Sequence, residues 1–205
     1  MMVFNWFKKD KKSYPEFWQT YLACFDAKAV KDQAERFVVF DTETTGLDVR
    51  NDVILSLGAV AIYGNSIVVN DYLELFVQQD VFKTESVPIH GILKGGKEDK
   101  LTEAEAVMCF LDFIKDSTLV GHHVRFDIRM VNAALQRMGL AKIKNRSMDT
   151  DLMYRKFKGL QEDHHSGLDE LCRVFKIQKS DRHTAAGDAF ITALIFLRLK
   201  NKWRR

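Results

Sequence analysis

Five side chains in this sequence could together hold divalent cations and activate water: Asp41, Glu43, Asp127, His183 and Asp188. Asp41 and Glu43 end an apolar run, and residues two apart on an extended strand point to the same face. Two carboxylates that close repel each other unless a cation lies between them. The pair therefore predicts a metal site at a strand end, and a strand that ends in a polar turn is the alternative for this pair taken alone.

The other members of the set strengthen the metal interpretation. Asp188 interrupts an otherwise apolar helical segment, and a buried carboxylate without a donor or a cation is costly. Hydrolysis of a phosphodiester by two metal ions needs several converging carboxylates and a base for the attacking water. Four carboxylates and His183, five residues before Asp188, meet both needs.

Strand patterns come first along the chain and then alternate with helical patterns. Apolar stretches predict strands at residues 37–40, 53–63, 66–78, 119–121 and 147–150. Gly64-Asn65 has the sequence of a two-residue hairpin turn, so the first three strands are expected to be antiparallel. This order predicts a mixed sheet flanked by helices, in the α/β class.

Helical patterns place two of the candidate carboxylates. A helix that ends at Gly139 puts Asp127 near its first turn, because glycine commonly follows a helix C terminus. The last helix is predicted from about residue 184 to 200, and it carries Asp188. Its nearly continuous apolar character predicts that it is largely buried.

Two further helix starts are marked by capping residues. Thr102 and Glu105 have the spacing of a capping box, in which each side chain bonds the backbone of the other. Ser166 is predicted to begin a later helix, with Asp169 as its capping partner.

Length and composition describe one folded domain with an extension. The 205 residues are 46% hydrophobic and 29% charged, with a formal charge of +3, which permits a polyanionic partner without requiring one. We divide the chain into an N-terminal helical extension, 1–35, and a main domain, 36–202. The extension carries a helical pattern around Trp18 and a second short one near 27–36. It could pack on its own domain, dock a partner, or contact nucleic acid through its basic residues.

Cysteine usage and hydropathy bear on the compartment. The three cysteines, Cys24, Cys109 and Cys172, have neither disulfide-framework nor zinc-site spacing. The first twelve residues do not resemble a secretory signal, and no apolar run approaches membrane-spanning length. We therefore expect a cytoplasmic protein that does not associate with membranes.

Three segments, in order, carry a family resemblance: DTETTGL at 41–47, LVGHHVRFD at 119–127 and HTAAGDA at 183–189. They resemble the three motifs of the DnaQ-like 3′–5′ exonucleases, in the DEDDh subclass named for four acidic residues and a histidine. The exonuclease domain of the DNA polymerase III epsilon subunit is of this type. The segment IHGI, residues 89–92, also resembles a family segment. The resemblance implies a ribonuclease H-like fold with a five-stranded mixed sheet: three antiparallel strands and then two parallel ones.

Roles for the five residues follow from the same resemblance. Asp41, Glu43 and Asp188 would hold the first metal ion and the attacking water. Asp41 would bridge to a second ion, with Asp127 assisting through water, and His183 would be the general base. Two Mg²⁺ ions are implied, with Mn²⁺ able to substitute, because carboxylates and water are the ligands that these hard cations prefer.

Substrate-contact positions are implied in the same way. The residues are Thr42, Thr44, Gly46, Leu47, His122 and Phe126. Gly46 would allow close backbone approach and Leu47 would wedge against a base, although Gly46 could equally be a turn residue and Phe126 a core residue. His123 stands where the family has asparagine. His164 and His165 lie in a charged loop, where we expect them to be solvated.

The implied activity is metal-dependent removal of nucleotides from a 3′ end, with release of nucleoside 5′-monophosphates. The expected substrate is a single-stranded 3′ end of DNA, in proofreading or repair, and an RNA-trimming or oligoribonucleotide exonuclease is the alternative. The catalytic residues alone do not distinguish a DNA substrate from an RNA substrate, because that distinction depends on contacts to the 2′ position of the sugar. A polymerase-associated binding module with vestigial hydrolysis is an alternative of another class. A DNA polymerase subunit is a candidate partner.

Overall fold

The computed structural model describes residues 14–26, 35–80, 91–92 and 99–203. Three features named above lie outside these ranges, in whole or in part. They are the basic residues within 1–12, the second helix near 27–36, and the first half of the IHGI segment, which contains His90.

The described residues form one mixed sheet. Its strands are β1 Arg36–Thr44, β2 Ile54–Tyr63, β3 Ser66–Val77, β4 Lys100–Leu101, β5 Thr118–Gly121 and β6 Ser147–Asp149. Across the sheet they lie in the order β4-β3-β2-β1-β5-β6. β1 to β3 form an antiparallel meander, joined at Gly64-Asn65 between β2 and β3, whereas β5 runs parallel to β1 and β6 parallel to β5.

The predicted fold class is confirmed, with one difference in the number of strands. β4 adds a sixth strand, parallel to the end of β3. β4 is only two residues long, so it leaves no alternating pattern in the sequence. It pairs with Phe76 and Val77, which are distant along the chain.

Six helices flank the sheet in the described ranges. They are α1 Glu16–Ala23, α2 Glu103–Ile114, α3 Arg125–Arg137, α4 Thr150–Lys158, α5 Leu168–Phe175 and α6 Ala185–Trp203. The capping box of Thr102 and Glu105 at the start of α2 is confirmed. The predicted cap at Ser166 is wrong, because Gly167 is the N-cap of α5 and no side chain caps it. Ser166 instead donates its backbone N–H to Asp151 Oδ1, at 2.9 Å.

Alternation along β1 divides the core into two layers. Val38 and Phe40 pack on one face with residues of α1, α2 and α3. Phe37 and Val39 pack on the other face with residues of α4, α5 and α6. Both cores therefore depend on the strand that ends in the candidate carboxylates.

The first helix packs on this framework. Trp18 and Tyr21 of α1 are 1% and 2% exposed and belong to the α2–α3 side of the core. The Tyr21 hydroxyl contacts Asn145 Oδ1 at 2.7 Å and accepts the backbone N–H of Lys144 at 2.7 Å. For α1 the structure thus shows packing on its own chain, while the boundary at residue 35 stays a prediction. Within the described ranges, no helix combines the length and apolar character needed to cross a membrane.

Candidate active site

The end of β1 sends its polar side chains to the two faces of the sheet. Asp41 and Glu43 continue the Phe37–Val39 face, toward α6, and Thr42 continues the opposite face, toward α3. This strand therefore presents carboxylates to one helix and a hydroxyl to another. The sequence analysis anticipated that Asp41 and Glu43 share a face.

Helix α6 brings Asp188 to the same place. One ligand oxygen each from Asp41, Glu43 and Asp188 can be chosen so that all three lie within 4.8 Å of one another. Asp188 is 6% exposed, and its Oδ1 is a buried acceptor with no hydrogen-bond partner. Three carboxylates thus converge, one of them with an unsatisfied oxygen.

Close backbone packing fixes the start of α6 against the sheet. Gly58 of β2 is paired with Asp41 across the antiparallel ladder. A Cβ on Gly58 would lie 2.2 Å from the backbone N of Ala186 and 2.3 Å from the carbonyl carbon of Ala185. The helix can approach Asp41 this closely only because residue 58 has no side chain.

Asp127 reaches the site from α3 through Thr42. The Thr42 hydroxyl donates to Asp127 Oδ1 at 2.6 Å, and the Thr42 backbone N–H donates to the same oxygen at 3.1 Å. Asp127 is 4% exposed. Thr42, expected to contact substrate, is itself buried and orients Asp127.

Burial, and at some positions neighbouring charges, raise the pKa values of these carboxylates. Burial raises the pKa of Asp41 well above its ordinary value, and the charges of Asp127, Asp188 and Glu43 raise it further. Burial also raises the pKa of Glu43 to about 7, with the Asp188 charge adding to the shift. The pKa values of Asp127 and Asp188 are raised by burial as well. A cluster of this kind is stabilised when it binds either protons or cations.

Arg182 supplies a positive charge to this cluster. Its Nη1 donates to Asp188 Oδ2, and its Nε donates to Asp169 Oδ1 of α5 at 2.9 Å. The guanidinium counteracts the rise in the pKa of Asp41, Glu43 and Asp188. Arg182 is not among the residues predicted for the site, although it directly precedes His183.

The three carboxylates fit a hard divalent cation. Oxygen ligands of one Mg²⁺ ion, at ~2.1 Å each, lie at most ~4.2 Å apart, close to the separation of these side chains. The partnerless Asp188 Oδ1 would gain a ligand, and like charges would be neutralised. Asp127 is not part of this tight group, and its Oδ1 is already occupied by Thr42.

His183 lies in the loop before α6, in a left-handed backbone conformation with φ 64°. The side chain is exposed, and the His183 charge and backbone both act to lower the pKa of Asp188. The imidazole is therefore near the carboxylates while remaining accessible to solvent.

The loop after Glu43 is stabilised by hydrogen bonds between its own residues. Thr45 Oγ1 donates to Asp52 Oδ1 at 2.7 Å, and the Asp48 backbone N–H donates to Asp52 Oδ2 at 2.9 Å. A Cβ on Gly46 would lie 2.6 Å from Asp52 Oδ2, so this glycine is required by the loop itself. Asp52, which is 2% exposed, is not among the residues predicted for the site.

The other expected substrate contacts fall in different environments. Leu47 is 83% exposed beside the carboxylates in sequence, and Thr44 Oγ1 donates to Gly46 O at 2.7 Å. Phe126 is half-buried and packs on the core. His122 Nδ1 is 3.0 Å from Thr150 Oγ1, and burial lowers the pKa of His122 to about 4.

One prediction concerns the stability of the metal-free protein. The pKa of Glu43 is raised from 4.5 to about 7, so the folded state binds a proton that the unfolded state releases. Stability from this group is full below pH 4.5 and is lost as pH rises to about 7. In EDTA, Glu43→Gln should therefore gain stability relative to wild type across this range, by about 1 kcal/mol after solvent screening.

Chemical denaturation of both proteins at several pH values measures this difference. In excess Mg²⁺ the advantage of the variant should vanish or reverse. A pH-independent difference in EDTA contradicts the assigned environment of Glu43.

The chain is similar in sequence to known exonuclease and DNA polymerase III proteins. The family model described as exonuclease, RNase_T, matches residues 38–196. The chain is 31% identical over 165 residues to the DNA polymerase III subunit epsilon of Aquifex aeolicus, covering 80% of this chain and 79% of that protein. It is 34% identical over 167 residues to the PolC-type DNA polymerase III of Caldanaerobacter subterraneus, covering 81% of this chain. There the match spans only 12% of the relative's length.

Solved structures show the same fold. The structure of E. coli Exonuclease I in complex with a dT13 oligonucleotide aligns with a TM-score of 0.71 and 18% identity. The alignment covers 83% of this chain and 42% of that one. A second Exonuclease I structure, with a TM-score of 0.72 and 17% identity, covers 82% of this chain and 41% of that one. The ribonuclease H-like fold expected from the sequence is confirmed.

Proposed function

The chain belongs to the DnaQ-like exonuclease family, and we propose that it removes nucleotides from the 3′ end of single-stranded DNA with two bound divalent metal ions. The observation that carries the proposal is the convergence of Asp41, Glu43 and Asp188, with an unsatisfied buried oxygen on Asp188. A structural cluster of this kind would need donors for its oxygens, whereas a metal site leaves them free. Release of nucleoside 5′-monophosphates is the expected outcome.

The proposed roles follow from the position of each side chain. Asp41, Glu43 and Asp188 hold the metal ions, and Asp127, oriented by Thr42, completes the acidic set from the other face of the sheet. Bound Mg²⁺ or Mn²⁺ would acidify the attacking water and neutralise charge on the phosphate and the leaving oxygen. His183, exposed in its loop, accepts the proton of that water.

The substrate end is proposed to lie on the loop that follows β1. Leu47 presents an exposed apolar side chain next in sequence to Gly46, and apolar side chains of this kind can wedge against bases. DNA is the proposed substrate because the relatives at about 30% identity are DNA polymerase III proteins. A DNA polymerase is the proposed partner on the same grounds.

Digestion of matched 3′-end substrates tests the proposal. Single-stranded DNA, duplex DNA, mismatched duplex and RNA of one sequence, labelled at the 5′ end, should be compared with Mg²⁺, Mn²⁺ or EDTA. We expect stepwise shortening of single-stranded DNA with either metal and none in EDTA. Degradation that survives EDTA contradicts the metal mechanism, and faster degradation of RNA identifies RNA as the substrate.

Replacement of His183 tests its role as the base. His183→Asn should lower kcat by ~10²–10⁴-fold, the usual contribution of a general base, and the residual rate should rise with pH. A pH–rate profile in saturating Mg²⁺ measures this. His164→Asn is the matched control and should keep the wild-type profile, because the His164 ring contacts Ser166 instead of the carboxylates. Wild-type kcat in His183→Asn excludes the role.

A further inference from the structure

A second group of metal-ligating side chains lies apart from the four carboxylates. It consists of His123, which precedes α3, Asp151 in the first turn of α4, and His165 in the loop before α5. One ligand atom from each can be chosen so that all three lie within 4.8 Å of one another. None of these residues takes part in the proposed hydrolysis.

Asp151 is the fixed member of this histidine cluster. Its side chain is only 2% exposed, and its Oδ1 accepts the backbone N–H of Ser166 at 2.9 Å. Oδ2 faces His165 Nδ1 at 3.5 Å and His123 Nδ1 at 3.9 Å. Both distances exceed the ~3.2 Å upper range of N–H···O hydrogen bonds, so the two rings surround the carboxylate oxygen without bonding it.

These separations suit a small cation with nitrogen ligands. Tetrahedral Zn²⁺, with ligands at ~2.0–2.1 Å, separates its ligand atoms by ~3.3 Å. The rings of His123 and His165 are 47% and 69% exposed, so small rotations can bring both nitrogens to that distance. The hydrogen bond from Ser166 to the far oxygen of Asp151 orients the carboxylate, as outer partners of metal ligands commonly do.

The surroundings leave room for a fourth ligand. His123, Asp151 and His165 line an open cavity of about 620 Å³. Arg155 also approaches Asp151 Oδ2, at 3.5 Å, yet its Nε is a buried donor with no hydrogen-bond partner. Arg155 therefore forms an ion pair with Asp151 Oδ2, and its Nε makes no hydrogen bond to this oxygen.

We propose that His123, Asp151 and His165 form a second metal site, selective for an imidazole-preferring divalent ion of the Zn²⁺ class, with water as the fourth ligand. Two nitrogens and one oxygen favour Zn²⁺ or Co²⁺ over Mg²⁺, whereas the all-carboxylate site favours Mg²⁺ or Mn²⁺. The two sites share no residue. This inference is independent of the proposed exonuclease activity.

Binding of Co²⁺ and Zn²⁺ to a variant without the carboxylate site tests the proposal. Asp41→Asn/Asp188→Asn removes two ligands of the other site, and the measurement is made in excess Mg²⁺. One equivalent of Co²⁺ should bind, with the visible absorption typical of nitrogen coordination, and Zn²⁺ should displace it. Adding His165→Gln should weaken binding by ~100-fold or more, since even outer partners of metal ligands contribute ~10–100-fold.

Matched control variants distinguish the loss of a metal ligand from a general effect of changing the loop. His164→Gln, next to His165 but directed to Ser166 Oγ, should bind Co²⁺ like the parent variant. Zn²⁺ should also raise the melting temperature of the parent and of His164→Gln, but not of His165→Gln. Since His165 is exposed, its replacement should leave the circular dichroism spectrum unchanged. Absence of Co²⁺ binding in the parent, or equal binding in all three variants, overturns the proposal.

Discussion

Gly58→Ala is expected to lower both the stability of the protein and its activity. The new Cβ would lie 2.2 Å from the backbone N of Ala186, a contact that no side-chain rotation can relieve. Either β2 or the start of α6 must move. Overpacking of this kind costs ~1–3 kcal/mol or more, and backbone contact puts this case at the upper end.

The displacement of α6 would also move Asp188 away from Asp41. A misplacement of ~1 Å in a catalytic group can cost ~10²-fold in rate. We therefore expect a melting temperature lower by ~10 °C, at ~2–4 °C per kcal/mol for a chain of this size, and hydrolysis lower by ~10²-fold. Thermal unfolding and initial rates in saturating Mg²⁺ measure the two effects.

Gly167→Ala is the control for this prediction. A Cβ at Gly167 has no atom within 4 Å, so the substitution should cost less than about 1 kcal/mol and leave hydrolysis unchanged. Wild-type stability and activity in Gly58→Ala would show that α6 does not depend on this close approach.

Asp41→Asn should separate activity from stability. The amide keeps the shape of the side chain but removes a metal ligand, so hydrolysis should fall by ~10³-fold or more, equivalent to ~4 kcal/mol of transition-state stabilisation. In EDTA the variant should be at least as stable as wild type. The reason is that the pKa of Asp41 is raised by burial and by neighbouring carboxylates, so neutralising it relieves repulsion.

Initial rates with Mg²⁺ and chemical denaturation in EDTA test both halves of this prediction. Asp48→Asn is the control, because Asp48 is an exposed carboxylate in the same loop that is not in the cluster. Undiminished hydrolysis in Asp41→Asn would remove Asp41 from the mechanism. A loss of stability in EDTA would instead show that neighbouring groups already compensate the charge of Asp41 in the metal-free protein.

Local patterns in the sequence were enough to predict most of the sheet and the convergence of Asp41 and Glu43 at the end of a strand. The alternation of β1 predicts that Asp41 and Glu43 share a face, and Asp188 lies beside them. The hairpin at Gly64-Asn65 and the capping box at Thr102 also depend only on neighbouring residues. Such features are encoded within a few positions, which is why they can be predicted.

Features that depend on distant residues could not be predicted in this way. Nothing near Gly58 indicates that the backbone of α6 will rest on it, and nothing near Arg182 indicates that it will bond Asp188 and Asp169. The two-residue strand β4 exists because it pairs with β3. Ser166 has the sequence of a helix cap, but the buried Asp151 takes its backbone N–H.

The bond between Arg182 and Asp188 would couple metal binding to the position of the proposed base. A divalent ion held by Asp188 would compete with the guanidinium of Arg182, which donates to Asp188 Oδ2. Arg182 and His183 are consecutive, and His183 already has a left-handed backbone. Metal binding at Asp188 would therefore also affect the position of His183, the proposed base, because it directly follows Arg182 in the chain.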